Sequence, residues 1–221
     1  RTAERRDVPQ VTRDGRAIIE ALPEFLLRTA RWHGQPIHVS VWVEKEALAG
    51  VFEDPCTELG VGWFACKGYP SVSALYAWLK HTYFTHFGVH PTAAHSLSGR
   101  RRYTLGHGFD WTERHVGTAA ESVVLYFGDH DPDGWEIPRS AERNLRKLMA
   151  TYGMDVPLRF QRVALNMDQI SAYNPPPFEA KVSSARYQGY VDEHHTQDAW
   201  DLDALDPEVL RDLIRAEVTA L

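Results

Sequence analysis

Residues 123–134 read VVLYFGDHDPDG, an apolar run that stops at Gly128 and is followed at once by three acids, Asp129, Asp131 and Asp133. The β-branched and aromatic residues from 123 to 127 predict a buried strand of a parallel sheet. Carboxylates that alternate on a tight turn repel one another, so the arrangement is costly without a cation among them. All-oxygen donors favour a hard ion, Mg2+ or Mn2+. Pro132 fixes one φ angle and Gly134 permits a positive one, so the loop should hold its acids at a defined angle. The same letters also spell ordinary turn chemistry, with an Asp capping a helix expected to start near Pro138. Both readings fit the residues.

The elements that must position these acids can be traced along the chain. Residues 1–14 are polar and charged, and residues 17–32 place Ile18, Ile19, Leu22, Phe25, Leu26 and Ala30 on one helical stripe. Residues 1–35 are therefore expected to form an arm and a helix preceding the main domain, 36–221. Residues 37–43 (IHVSVWV) predict the first strand, and Glu44 follows directly. A carboxylate at the carboxyl end of a strand lies where open α/β sheets put their ligands. Its plainer reading is a first-turn Glu favoured by the dipole of the helix running through Ala47, Leu48, Ala49 and Val51. A second strand is expected at 59–66. The turn Lys67-Gly68-Tyr69-Pro70-Ser71 then enters a helix over 72–83 with Ser71 as N-cap. Lys67 could meet a phosphate, although such a lysine is more often simply solvated. After the acidic turn, a helix over 138–152 and a strand over 156–165 are expected, then a short helix from Asn166. A final amphipathic helix from Asp206-Pro207 carries Leu210, Leu213, Ile214 and Val218 inward. This alternation of strand and helix predicts a parallel, right-handed α/β sheet of four strands.

Composition sets the bounds. The chain has 221 residues, 43% hydrophobic and 24% charged, enough for one substantial core. No apolar run reaches the roughly 20 residues of a membrane helix, and the start RTAERRDVPQ has no apolar signal segment, so a cytoplasmic protein is expected. Starting on Arg, the sequence reads as a fragment with an upstream domain missing. Cys56 and Cys66 lack CxxC spacing and read as reduced thiols. Six histidines fall between 81 and 115 without the HExxH pattern of a zinc site. The net charge of -6 argues against a protein that coats nucleic acid by global charge, but a local basic strip could still grip a phosphate backbone. Arg100-Arg101-Arg102, in the irregular stretch 84–121, is the candidate strip, the alternative being a solvated loop.

Strand, Glu44, a βα unit, then a strand ending in DxD resembles the Toprim domain of topoisomerases, primases and OLD-type nucleases. The likeness is to the type IIB topoisomerase A-subunit branch and to phage and prophage Toprim proteins, in which VWVEKEAL, KGYPS, GDHDPDG and a DLDALDP-like stretch occur in this order, here over about residues 36–215. The resemblance implies a Toprim, Rossmann-like fold with Glu44, Asp129 and Asp131 as the acidic catalytic set. Those three, with Asp133 as an added ligand, would hold Mg2+ or Mn2+. Asp201 stands where the phage proteins have a Glu, which leaves its role open. A second departure concerns the nucleophile. Topoisomerases cleave with a tyrosine on a winged-helix domain, and the 43 residues before Glu44 are too few for one.

The activity implied is Mg2+-dependent cleavage of DNA phosphodiesters, either as a nicking nuclease or as the Toprim part of a cleavage machine. In the second case an upstream domain or partner subunit would supply a nucleophile or an ATPase. The competing reading is a non-catalytic module that keeps the metal site to bind nucleic acid or a protein. For the arginine strip the test is electrostatic. Replacing Arg100, Arg101 and Arg102 by alanine should weaken DNA binding at every sequence alike and flatten the salt dependence by a slope of up to roughly three, about one per lost phosphate contact. An unchanged slope, measured by titrating DNA at several salt concentrations, would assign the triplet to a solvated loop.

Overall fold

The structure is a computed structural model that describes residues 35–86, 104–105, 109–110, 121–152, 154 and 156–221. The expected 17–32 helix and Arg100, Arg101 and Arg102 lie outside the described residues.

Four parallel strands form the central sheet: β1 (Ile37–Val43), β2 (Gly62–Ala65), β5 (Glu121–Phe127) and β6 (Leu158–Ala164), in the order β2-β1-β5-β6. Between β2 and β5 in sequence lie two-residue strands, β3 (Thr104–Leu105) and β4 (Phe109–Asp110), which pair antiparallel. The β1–β5 register runs from Ile37 opposite Glu121 to Val43 opposite Phe127. Both strands therefore end level, and Glu44 and Gly128 leave the sheet side by side.

Helices cover both faces. A 3-10 turn (Glu46–Leu48) leads into α1 (Ala49–Leu59), which lies on one face beside the C-terminal helix α6 (Pro207–Thr219). There Phe52 and Cys56 of α1 and Leu210, Ile214 and Val218 of α6 meet Val39, Val41, Val43, Val123, Leu125 and Phe127. On the other face α2 (Val72–His86) packs beside α3 (Pro132–Thr151), and Leu75, Trp78, Leu79, Ile137, Ala141 and Leu145 cover Trp42, Val124 and Tyr126. Alternate residues of β1 and β5 thus feed opposite cores, as a sheet buried on both sides requires. The indole N–H groups of Trp42 and Trp78 both donate to the buried Ser40 hydroxyl at 3.2 Å, so neither ring leaves a donor unpaired. The molecule is a three-layer, Rossmann-like α/β fold, and among the described residues no helix is long and apolar enough to cross a membrane.

The second strand is shorter than expected, because residue 59 still belongs to α1. Gly60, with φ 70°, closes that helix by donating to the carbonyls of Cys56 and Thr57. A larger difference concerns α3, which begins at Pro132 rather than near Pro138. Asp131 is its N-cap, accepting from the Gly134 N–H at 2.5 Å, and Pro132 takes the first helical position that proline favours. Pro138 then sits inside the helix. It has no N–H to give the Gly134 carbonyl one turn back, and the Arg162 guanidinium donates to that carbonyl instead, at 2.9 Å. A charged side chain from β6 thus satisfies the acceptor that the proline leaves open.

After β6 come α4 (Met167–Tyr173), β7 (Phe178–Glu179), α5 (Tyr187–His194) and β8 (Asp198–Ala199), the two strands pairing antiparallel. This excursion returns to the acidic loop. His130 and Trp200 exchange backbone hydrogen bonds of 2.8 and 3.0 Å, an isolated antiparallel bridge that carries residues 201–203 to the carboxyl edge of the sheet.

Candidate functional site

The site begins where β1 and β5 end. Glu44 donates its N–H to the Phe127 carbonyl at 2.9 Å, and its carboxylate Oε2 accepts from the Asp129 N–H at 3.0 Å and the Tyr126 hydroxyl at 3.2 Å. Two acids 85 residues apart in sequence are thereby joined through one hydrogen bond. Gly128 is what permits this approach. A Cβ there would lie 2.6 Å from the Tyr126 ring and 2.7 Å from Glu44 Oε2. Gly134 is equally constrained, because a Cβ would come within 2.3 Å of the Asp129 carbonyl oxygen. Both glycines of GDHDPDG are therefore needed for close packing, and neither has a positive φ.

Arg162 binds the loop from beneath. Besides the Gly134 carbonyl, its guanidinium reaches those of Gly128 (3.0 Å), Asp129 (2.6 Å) and Leu165 (3.1 Å), and it stacks 4.5 Å from the Trp135 ring centroid. A planar fork of five donors suits this convergence of carbonyls. No sequence motif announced this residue.

Each acid of the loop has its own partner. Asp129 is buried; its Oδ1 accepts from the Leu202 N–H at 2.8 Å and its Oδ2 faces Lys45 Nζ at 3.1 Å. Asp131 caps α3. Asp133 accepts from the Tyr69 hydroxyl at 3.3 Å and pairs with Arg186 at 3.1 Å, whose guanidinium also lies over the Tyr69 ring. Asp133 thus points into a surface cluster with its own positive charge. Lys45 Nζ also meets Asp201 at 2.7 Å and Asp203 at 3.0 Å, and one oxygen from each of Asp129, Asp201 and Asp203 lies within 4.8 Å of the others. Asp201 acquires a definite place here, and Asp203 and Lys45, absent from the expected set, join it. Lys67, at φ 57°, pairs with Glu46 at 2.7 Å.

Burial governs the titration of the set. It pushes the Glu44 carboxyl up to about 7, with the negative charge of Asp129 and then of Asp131 adding, against the opposing hydrogen bonds from the Asp129 N–H and Tyr126. Burial also raises Asp129, outweighing the Leu202 N–H and the Lys45 ammonium. For Lys45, burial pulls downward, but Asp201, Asp129 and Asp203 together hold it above lysine's ordinary value, so it stays charged. Buried His130 is pushed down to about 4 by desolvation, with Arg162 and His194 adding to that shift against the Leu165 carbonyl.

Glu44 Oε1 and Asp131 Oδ2 accept no hydrogen bond from the described residues. The described residues that bring three potential ligand oxygens within 4.8 Å of one another are Asp129, Asp201 and Asp203, with Lys45 among them, and Glu44 and Asp131 are not part of that triple. Comparisons with protein families, with curated proteins and with solved structures give no match to this chain.

The Glu44 shift fixes a sign for stability. A carboxyl raised in the folded state contributes stability that is fully present below its unfolded value of 4.5 and lost as pH rises through about 7. Without divalent ions, Glu44→Gln should therefore be more stable than wild type at pH 8, by on the order of 3 kcal/mol, with the gain vanishing near pH 4.5. His130 gives the opposite slope, lost as pH falls from 6.5 towards about 4, and it is common to both proteins, so the difference between them isolates Glu44. Urea unfolding of both across pH 4.5–8 checks this. A difference that does not vary with pH would place Glu44 in an ordinary solvated setting.

Proposed function

We propose that this chain carries a Toprim-like catalytic domain that cleaves DNA phosphodiester bonds with Mg2+ or Mn2+, alone as a nicking nuclease or as part of a larger cleavage machine. The observation that carries the proposal is the hydrogen bond from the Asp129 N–H to the Glu44 carboxylate, which gathers the acids of two strand ends at the edge where α/β sheets place ligands. The order of VWVEKEAL, KGYPS and GDHDPDG along the chain supports the same reading by resemblance.

In this proposal Asp129 and Asp131 hold the ion, with Glu44 Oε1 beside them. When bound, the ion would neutralise charge on the phosphoryl oxygens as the transition state forms. Glu44, titrating near 7, suits general acid–base work at neutral pH, taking a proton from an attacking water or giving one to the leaving oxygen. Tyr126 and the Asp129 N–H hold Glu44 Oε2, so the carboxyl presents its other oxygen. Tyr69 and Tyr126 are poor nucleophiles: the first is committed to Asp133 and Arg186, and burial holds the second far above its ordinary value. Water is the simplest attacker, unless an upstream domain or a partner subunit supplies one.

A second reading, a non-catalytic module binding nucleic acid or a protein, is favoured by one observation. Both oxygens of Asp129 are already engaged, by Leu202 and Lys45, which lessens its need for an ion.

Supercoiled plasmid incubated with the protein decides between them. Wild type should nick it slowly with Mg2+ or Mn2+ and not with EDTA. The ion should also raise the melting temperature by binding only the folded state, a gain that Asp131→Asn should lose while its cap survives. Glu44→Gln should keep most of that thermal gain and lose nicking. Metal-dependent stabilisation without cleavage of plasmid, linear or single-stranded DNA would overturn the enzyme in favour of the binding module.

A further inference from the structure

Lys45 follows Glu44 directly, yet the two side chains serve different neighbours. Glu44 turns to the Asp129 N–H, and Lys45 extends its ammonium among Asp129 (3.1 Å), Asp201 (2.7 Å) and Asp203 (3.0 Å). We infer that Lys45 is a built-in cation occupying the place a second divalent ion would take between Asp129, Asp201 and Asp203, so that the site works with one bound ion, on the Asp131 side of Asp129. This deepens the proposed function and rests on it for the first ion.

The geometry argues for occupation by the ammonium. Oxygens within 4.8 Å of one another could close on a small ion, but Mg2+ needs them at roughly 2.0–2.1 Å and gives up its waters reluctantly. Lysine's three N–H donors match three acceptors at 2.7–3.1 Å without that cost. Lys45 is also tethered. Its carbonyl accepts from the Leu48 N–H at 3.3 Å and its neighbour's N–H is bound to Phe127, so only side-chain freedom is lost on ordering. A divalent ion on the same oxygens would meet the ammonium at close range, so the two exclude each other.

The arrangement also gives the C-terminal segment a purpose. The His130–Trp200 bridge brings Asp201 and Asp203 to the sheet edge, and the Leu202 N–H fixes the Asp129 oxygen that Lys45 does not hold. Two-ion phosphodiester enzymes place their metals about 3.5–4 Å apart, astride a shared carboxylate. Here the ammonium supplies positive charge on one side of Asp129, where a second ion would otherwise be needed. Lys45 acts through Asp129 and is thus a positioning residue.

Counting bound Mn2+ by the electron paramagnetic resonance signal of the free ion tests this without reference to activity. Wild type should bind one ion per chain and keep it when Asp201→Asn and Asp203→Asn are combined. Lys45→Ala should bind two, and adding the two Asn substitutions to it should return the count to one. Lys45→Arg should stay at one. Lys45→Met and Lys45→Gln, which keep the side-chain bulk, repeat the count if the alanine variant does not fold. An unchanged count in Lys45→Ala, Lys45→Met or Lys45→Gln, or an ion lost from wild type with the paired Asn substitutions, overturns the role of Lys45. The proposed function fails separately: a wild type that binds no Mn2+ removes the first ion, whereas an ion gained on removing Lys45 would still uphold the built-in cation.

Discussion

The molecule depends on the parallel pairing of β1 with β5 and on its register. Because Val43 stands opposite Phe127, the chain leaves both strands at one level and the Asp129 N–H reaches Glu44 Oε2. A slip of one residue would turn every side chain of β1 to the other face, exchanging the Trp42 and Val43 cores and sending Glu44 away from Asp129. The two cores therefore enforce the site. Phe52 and Phe127 meet edge to face on one side, and Trp42 packs edge-on with Trp78 and Phe160 on the other, so the register is fixed by large side chains that have no alternative place.

Crowding acids at one sheet edge carries an electrostatic cost, and the surroundings meet it acid by acid. The start of α3 takes Asp131, the Lys45 ammonium takes one side of Asp129, and Arg186 takes Asp133. What is left is concentrated on Glu44, buried beside two like charges with only neutral donors against it. This explains why one carboxyl titrates near neutrality while Lys45 next to it stays charged. Arg162 contributes differently. Its charge is spent on backbone carbonyls, so it shapes the loop and offsets the missing N–H of Pro138.

Much of this was legible in the sequence. Period-two and continuous apolar patterns located the four strands, with β1 at its observed bounds, and the acids after β1 and β5 follow from strand ends that are easily read. The start of α3 was not legible from Pro138, because a proline inside a helix is tolerated only when another group takes the orphaned carbonyl, and that group, Arg162, is 28 residues from Gly134. Lys45 was hidden for a similar reason. Its neighbours Asp201 and Asp203 lie more than 150 residues away and arrive through a single bridge at Trp200, a contact that no local pattern encodes. Local periodicity specifies elements, whereas the partners of buried charges are set by tertiary packing.

In the proposed function Glu44 lies beside a divalent ion held by Asp129 and Asp131, joined to that loop through the Asp129 N–H. Carbon-13 NMR titration of the Glu44 carboxyl tests it most directly. The midpoint should lie near 7 without divalent ions and fall by at least about one pH unit when Mg2+ is added, as a nearby cation favours the charged form. A midpoint near 4.5 that Mg2+ leaves unmoved would contradict it.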